Sequence, residues 1–139
     1  MAVVMDQAAL GVFLQQQFFQ VADDFTVTEV TADGIVVQLN VSDRHLRPGG
    51  TVSGPTMFAL ADVAMYLAIL SRLGPVALAV TTNCAIDFMR KPEAGKNMTA
   101  RARILKLGRA LAVGDVLIWS DGVEEPVARA GLTYSIPPR

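Results

Sequence analysis

From Met57 to Leu70 every residue is apolar or aromatic except one, Asp62. A helix that is apolar on nearly every face cannot lie on a surface, so the rest of the chain has to wrap around it. Arg47 to Pro55, just upstream, is too rich in glycine and proline for regular structure. Gly54 or Pro55 begins the helix, since the missing proline N–H would have no partner there anyway, and Gly74-Pro75 ends it, giving a central helix over 54–73. The apolar run is shorter than a bilayer span of ~18–20 residues and carries a charge near its middle, which makes it a core helix. An unpaired ionised carboxylate in such surroundings costs several kcal/mol, on a rough scale, or is forced to protonate. A glycine-rich entry, a helix N-terminus and a lone acid in one short window mark a candidate active site.

The flanking sequence supplies the wrapping. Leu10, Phe13, Leu14, Phe18 and Val21 recur at helical spacing behind Asp6, a possible N-cap; an N-terminal helical segment therefore occupies residues 1–22. Phe25–Val30 and Ile35–Val41 alternate around Asp33-Gly34, the pair typical of a tight hairpin turn. After the central helix, Val76–Phe88, Met98–Leu107, Leu111–Trp119 and Pro126–Ile136 read as antiparallel strands, separated by Gly95-Lys96, Gly108-Arg109 and Asp121-Gly122. Arg101, Arg103 and Lys106 against Ala100, Ala102 and Ile104 give one strand a mixed face. The architecture is α+β: an antiparallel sheet wrapped around one long apolar helix, with a short N-terminal helix, in a single domain over 1–139.

Composition excludes several classes of function. A net charge of −1 lacks the basic footprint of a nucleic-acid binder. One cysteine, Cys84, rules out an intrachain disulfide framework, and one histidine, His45, leaves too few soft ligands for a zinc site. No metal or other cofactor is implied. Asp6 and the glutamines of the N-terminal segment do not form a signal peptide, so a reducing, cytoplasmic location is expected. The 52% hydrophobic content is high for a domain of this size, and part of the excess is expected at a subunit interface.

The segment Ser53-Gly54-Pro55-Thr56-Met57-Phe58-Ala59-Leu60-Ala61-Asp62 resembles the His-Gly-Gly…Leu-Ala-Asp signature of phenylacetate-pathway acyl-CoA thioesterases of the hot-dog fold. Thr81 to Pro92 resembles the family's next strand, and Lys106-Leu107-Gly108-Arg109 its turn before the penultimate strand. The resemblance implies hydrolysis of an acyl-CoA thioester, with Asp62 as general base or nucleophile and the Gly54 N–H polarising the carbonyl. It also implies a homodimer or homotetramer whose sites draw on two subunits. Helix N-terminal amides carry partial positive charge and favour the developing oxyanion. Two positions depart from the family pattern: Ser53 stands where histidine is common, and Arg47 where asparagine is common. Arg47 is then expected to bind a phosphate or carboxylate of the substrate, and Thr82 or Asn83 to supply a neutral hydrogen bond. Ser53 belongs to the same substrate-binding set, and Arg90 and Arg109 are expected to meet the coenzyme A phosphates.

Other readings of the same residues stay open at this stage. Asp62 can be a structural acid paired with Arg47, Arg72 or a backbone amide. Ser53, His45 and Asp62 invite a triad, although the Gly-x-Ser-x-Gly elbow is absent, and Cys84 with His45 invites a thiol pair. A dimer that binds acyl-CoA or fatty acyl groups without turnover is the alternative function. A hot-dog hydratase would need an Asp-x-x-x-x-His pair, which is missing.

Overall fold

The computed structural model describes residues 2–138, so both end residues of the expected 1–139 domain lie outside it. In chain order the elements are α1 (Gln7–Gln17), β1 (Phe25–Val30), β2 (Gly34–Leu39), a 3₁₀ turn (Asp43–His45), α2 (Gly54–Leu73), β3 (Val80–Phe88), β4 (Met98–Leu107), β5 (Leu111–Ser120) and β6 (Ala128–Ser135). The six strands form one antiparallel sheet in the order β1-β2-β4-β5-β6-β3. The sheet wraps around α2, which is the hot-dog arrangement expected from the sequence.

α2 is the core. Leu60, Leu67, Ile69 and Leu70 are fully buried against the inner sheet residues Ile35, Val37, Met98, Ala100, Ile118 and Leu132. Each large apolar side chain of this kind stabilises the fold by about 1.5–3 kcal/mol. By length and apolarity α2 also passes as a membrane span, but 72% of its most apolar window is buried within the fold. Ser53 caps its start by accepting from the Thr56 N–H, and Gly74, with φ +89°, closes its end by donating to the Leu70 carbonyl.

Three local readings need correction. α1 stops at Gln17 rather than near residue 22, and Phe18 and Val21 then fold back over Tyr66 and the helix flank in a run of turns. Asp33-Gly34 is not a glycine-driven turn: Ala32 and Asp33 form the tip, and Gly34 begins β2, where an added side-chain carbon would lie 1.7 Å from the Ala102 carbonyl oxygen. Glycine is there for close strand packing. β3 starts at Val80 and β6 at Ala128, each later than the apolar pattern suggests. The outer face of β4 is solvated as expected, with Arg101 and Arg103 exposed and Arg103 paired to Asp115 of β5 at 2.8 Å.

Candidate active site

Gly54 is the first residue of α2, and its surroundings leave its amide free. Among the first amides of the helix, Ser53 N–H is taken by the His45 carbonyl at 2.9 Å and Thr56 N–H by Ser53 Oγ at 3.3 Å, while Pro55 has none. No acceptor among the described residues takes the Gly54 N–H. A donor at a helix N-terminus with no internal partner is suited to an incoming carbonyl oxygen. The Phe88 ring, half-exposed at the end of β3, packs over this glycine, 3.4 Å from where a side-chain carbon would sit.

Asp62 lies two turns further along the helix and is half-buried. Its Oδ1 accepts from the Thr81 hydroxyl of β3 at 2.6 Å and from the Tyr134 hydroxyl of β6 at 2.6 Å. Oδ2 has no partner among the described residues, and none of their ion pairs includes this acid. The structural pairings open at the sequence level are therefore absent. Arg72 is buried at the far end of α2, where it donates to the Thr31 carbonyl at 2.5 Å and to Ser71 Oγ at 2.7 Å. Arg47 stands on the exposed arm of a small hairpin, tipped by Gly49 and Gly50 at φ +102° and +84°, away from Asp62.

Asp62 opens into a groove of about 430 Å³. The helix side is formed by Pro55, Thr56, Ala59 and Val63, and the opposite side is apolar where Phe18, Val21, Phe25 and Leu39 line it. A polar cluster closes one part of the wall. Asp24 is buried there, held by Arg44 at 2.9 Å and a second, shorter contact, with His45 Nε2 at 3.4 Å. Burial alone would raise the Asp24 pKa, but hydrogen bonds from Arg44 and His45 outweigh it and hold the carboxyl below its ordinary value. His45 Nδ1 accepts from the Ser42 N–H at 2.9 Å, which leaves its proton on Nε2, toward Asp24.

These contacts remove two of the open readings. Ser53 Oγ donates to Thr56 Oγ1 at 2.9 Å and the His45 ring is committed to Ser42 and Asp24, so no Ser-His-Asp relay forms. Cys84 is half-buried beside Asp62 on β3; burial, and then the Asp62 charge, push its thiol pKa up, so it stays protonated rather than pairing with His45.

The neutral hydrogen bond to Asp62 comes from Thr81 rather than Thr82 or Asn83. The β3–β6 register slips between Thr81 and Asn83, and this bulge breaks the alternation on which a sequence reading depends. Thr82 is exposed and donates to the Thr133 carbonyl at 3.3 Å, and Asn83 is exposed. Tyr134 and Asp24 were not among the residues expected from the sequence. A lone tyrosine in an apolar strand does carry a signal, because a buried phenol needs a partner. Arg90 and Arg109 are both exposed; Arg90 donates to the Pro126 carbonyl at 2.9 Å, close to Phe88, and Arg109 sits in the β4–β5 turn. Cross-strand pairs Phe88–Ala128 and Val80–Ser135–Leu111 put these two arginines beyond opposite ends of β3, which is about 27 Å long by strand rise.

Comparison with known proteins identifies the family to which this fold belongs. The family model described as the thioesterase superfamily matches residues 49–127. A crystal structure from Silicibacter sp. TM1040, provisionally described as a thioesterase, is 55% identical, covers 99% of this chain and 96% of its own, and superposes with a TM-score of 0.93. A mutant of the phenylacetic acid degradation protein PaaI from Thermus thermophilus is 34% identical over 86% of this chain and 98% of its own, with a TM-score of 0.72. The acyl-coenzyme A thioesterase PaaI of Escherichia coli K12 is 34% identical over 83 residues, which span 60% of this chain and 57% of that protein. With all of α2, most of the glycine-rich entry and three of the six strands, β3, β4 and β5, inside the matched region, the chain belongs to the thioesterase superfamily.

Proposed function

We propose that this protein hydrolyses acyl-CoA thioesters to the free acid and coenzyme A. One observation carries the reading: an acid set in the apolar core helix is held by neutral hydroxyls, has no cationic partner among the described residues and opens onto a groove with one apolar side. Asp62 delivers the attacking oxygen, its own or that of a water it deprotonates. The Gly54 N–H receives the charge that develops on the carbonyl oxygen. A thiolate leaves readily, so no strong general acid is needed. The acyl group lies in the groove along Ala59, Val63 and Phe25.

The functional unit in this proposal is a dimer. Gly54 and Asp62 are eight residues apart on one helix, about 12 Å along its axis. Eight residues also turn the helix about 80° past two full turns, so the Gly54 amide and the Asp62 carboxylate of one chain face different sides of α2, and in this proposal they do not share a thioester. β3 is an edge strand flanked by exposed Val80, Phe88 and Met89, which supports antiparallel pairing of two copies through this edge. A two-fold axis near Cys84, the midpoint of β3, faces the Gly54–Phe88 end of one chain with Asp62 of the partner subunit. The same operation brings Arg90 close to Arg109 of the partner subunit, two cations for the phosphates of one coenzyme A.

The test is thiol release by the wild-type protein from a panel of aromatic, short and long aliphatic acyl-CoA esters. Turnover of at least one class is expected, and that class names the acyl group. Tight calorimetric binding of the same esters without turnover would overturn the hydrolase and establish the binding dimer.

A further inference from the structure

We infer that Tyr134 is a positioning residue for Asp62: its hydroxyl anchors one carboxylate oxygen so that the other alone faces the groove. The inference rests on the hydrolase reading of Asp62 given above and assigns the part of the site that orients it.

Tyr134 is buried, at 3% exposure, on β6. It is the direct cross-strand partner of Thr81, so both hydroxyls leave the sheet on the same side, toward α2. The phenol oxygen lies 2.6 Å from Asp62 Oδ1 and 3.0 Å from the Asp62 backbone carbonyl. It has one proton to give, and the shorter contact to the charged oxygen takes it. Any buried phenol needs an acceptor, and a backbone carbonyl satisfies that need, as the Ala77 carbonyl does for Tyr66 at 2.9 Å. Tyr134 instead spends its proton on the one acid of the helix. Thr81 takes up the same oxygen, which leaves Oδ2 without a partner among the described residues on a side chain that lines the groove.

The chemical nature of the clamp matters. A cation at this point would tie the carboxylate into an ion pair, whereas two neutral hydroxyls fix its direction through hydrogen bonds to one oxygen alone. Burial first, and then the Asp62 charge, push the Tyr134 ionisation far above the usual phenol range, so it remains a donor at every working pH. The other titratable groups around Asp62 are Cys84 on β3, Tyr66 on the next turn of α2, and Asp24, Arg44 and His45 across the groove. A change at Tyr134 leaves all of them in place.

The experiment reads the side-chain carboxyl ¹³C shift of Asp62 in the intact protein at pH 7, assigned by its loss in Asp62→Asn, together with kcat and KM on the best acyl-CoA ester. In Tyr134→Phe the carboxyl signal is expected to move away from its wild-type position, because one of the two hydroxyls on Oδ1 is gone. On the same ester kcat is expected to fall about tenfold with KM within twofold, the scale of one hydrogen bond to a charged group. Placing 3-fluorotyrosine at position 134 alone makes the phenol a stronger donor and should move the carboxyl signal in the opposite direction; this variant carries the test should the Phe variant not fold. A carboxyl signal unmoved by both changes would overturn the inference, even with thioesters turned over. A signal that moves without any ester being hydrolysed would leave the clamp standing and overturn the hydrolase reading instead.

Discussion

Replacing Gly34 by alanine places a methyl carbon 1.7 Å from the carbonyl oxygen of Ala102, a backbone atom that no side-chain rotation can move. To make room, the start of β2 has to lift from β4, breaking the bond from Ile104 N–H to the Asp33 carbonyl at 2.7 Å and the longer one from Arg72 to the Gly34 carbonyl at 3.5 Å. Overpacking of this kind costs about 1–3 kcal/mol, and each lost hydrogen bond about 1 kcal/mol. Restricting the unfolded chain returns about 0.4–1 kcal/mol. The net expectation is a loss of about 2–4.5 kcal/mol, or about 8–18 °C in Tm at roughly 4 °C per kcal/mol for a domain of this size. Urea and thermal unfolding of Gly34→Ala beside Gly131→Ala make the comparison, because an alanine at 131 meets nothing within 4 Å. Gly131→Ala should match the wild type or slightly exceed it. A Gly34→Ala protein within about 0.5 kcal/mol of wild type would refute the argument that close strand packing selects this glycine.

Two further outcomes follow from the charges. The Asp24 carboxyl titrates below its ordinary 3.8 in the folded protein, so its contribution to stability is complete above that pH and is lost as pH falls through the folded value. Urea midpoints between pH 3 and 7 should show wild type more stable than Asp24→Asn at neutral pH, with the gap closing on the acid side; a gap that does not change with pH would contradict the pairing with Arg44 and His45. Arg90→Ala and Arg109→Ala are each expected to raise KM for an acyl-CoA by about 3–10-fold with kcat unchanged. Neither should affect the matching acyl-pantetheine, which lacks the nucleotide, and an equal effect on both esters would place these arginines elsewhere.

The parts of this fold that were legible in the sequence are those where a local rule and the tertiary structure agree. Pro55 and Gly74 bound a helix whose all-round apolarity already demands a wrapping sheet, and α2 spans 54–73 as read. Asp6 caps α1 as its position suggested, accepting from the Ala9 N–H at 2.9 Å. Where a local pattern continues past the structure that uses it, the reading overshoots. Phe18 and Val21 keep the helical spacing of α1, but they pack on Tyr66 and the groove from turns, and no glycine or proline marks the change. Around the site, the acid and the helix-start glycine stood out because each is chemically anomalous where it sits. The partners of Asp62 did not, because the bulge at Thr82 shifts the inward face of β3 by one residue and because Tyr134 reaches Asp62 across 72 positions of sequence. Such pairings are set by sheet register, which single-strand patterns do not encode.

The most direct test of the account is steady-state thiol release by Asp62→Asn beside wild type on the best acyl-CoA ester. The substitution keeps the shape of the side chain and the Thr81 and Tyr134 hydroxyls around it, and removes the negative charge of the carboxylate. The account predicts that kcat falls by roughly 10²-fold or more, the scale of losing general-base help, with folding and ester binding retained. A variant as active as wild type would contradict it, and Asp62 would then be a structural acid rather than the centre of the reaction.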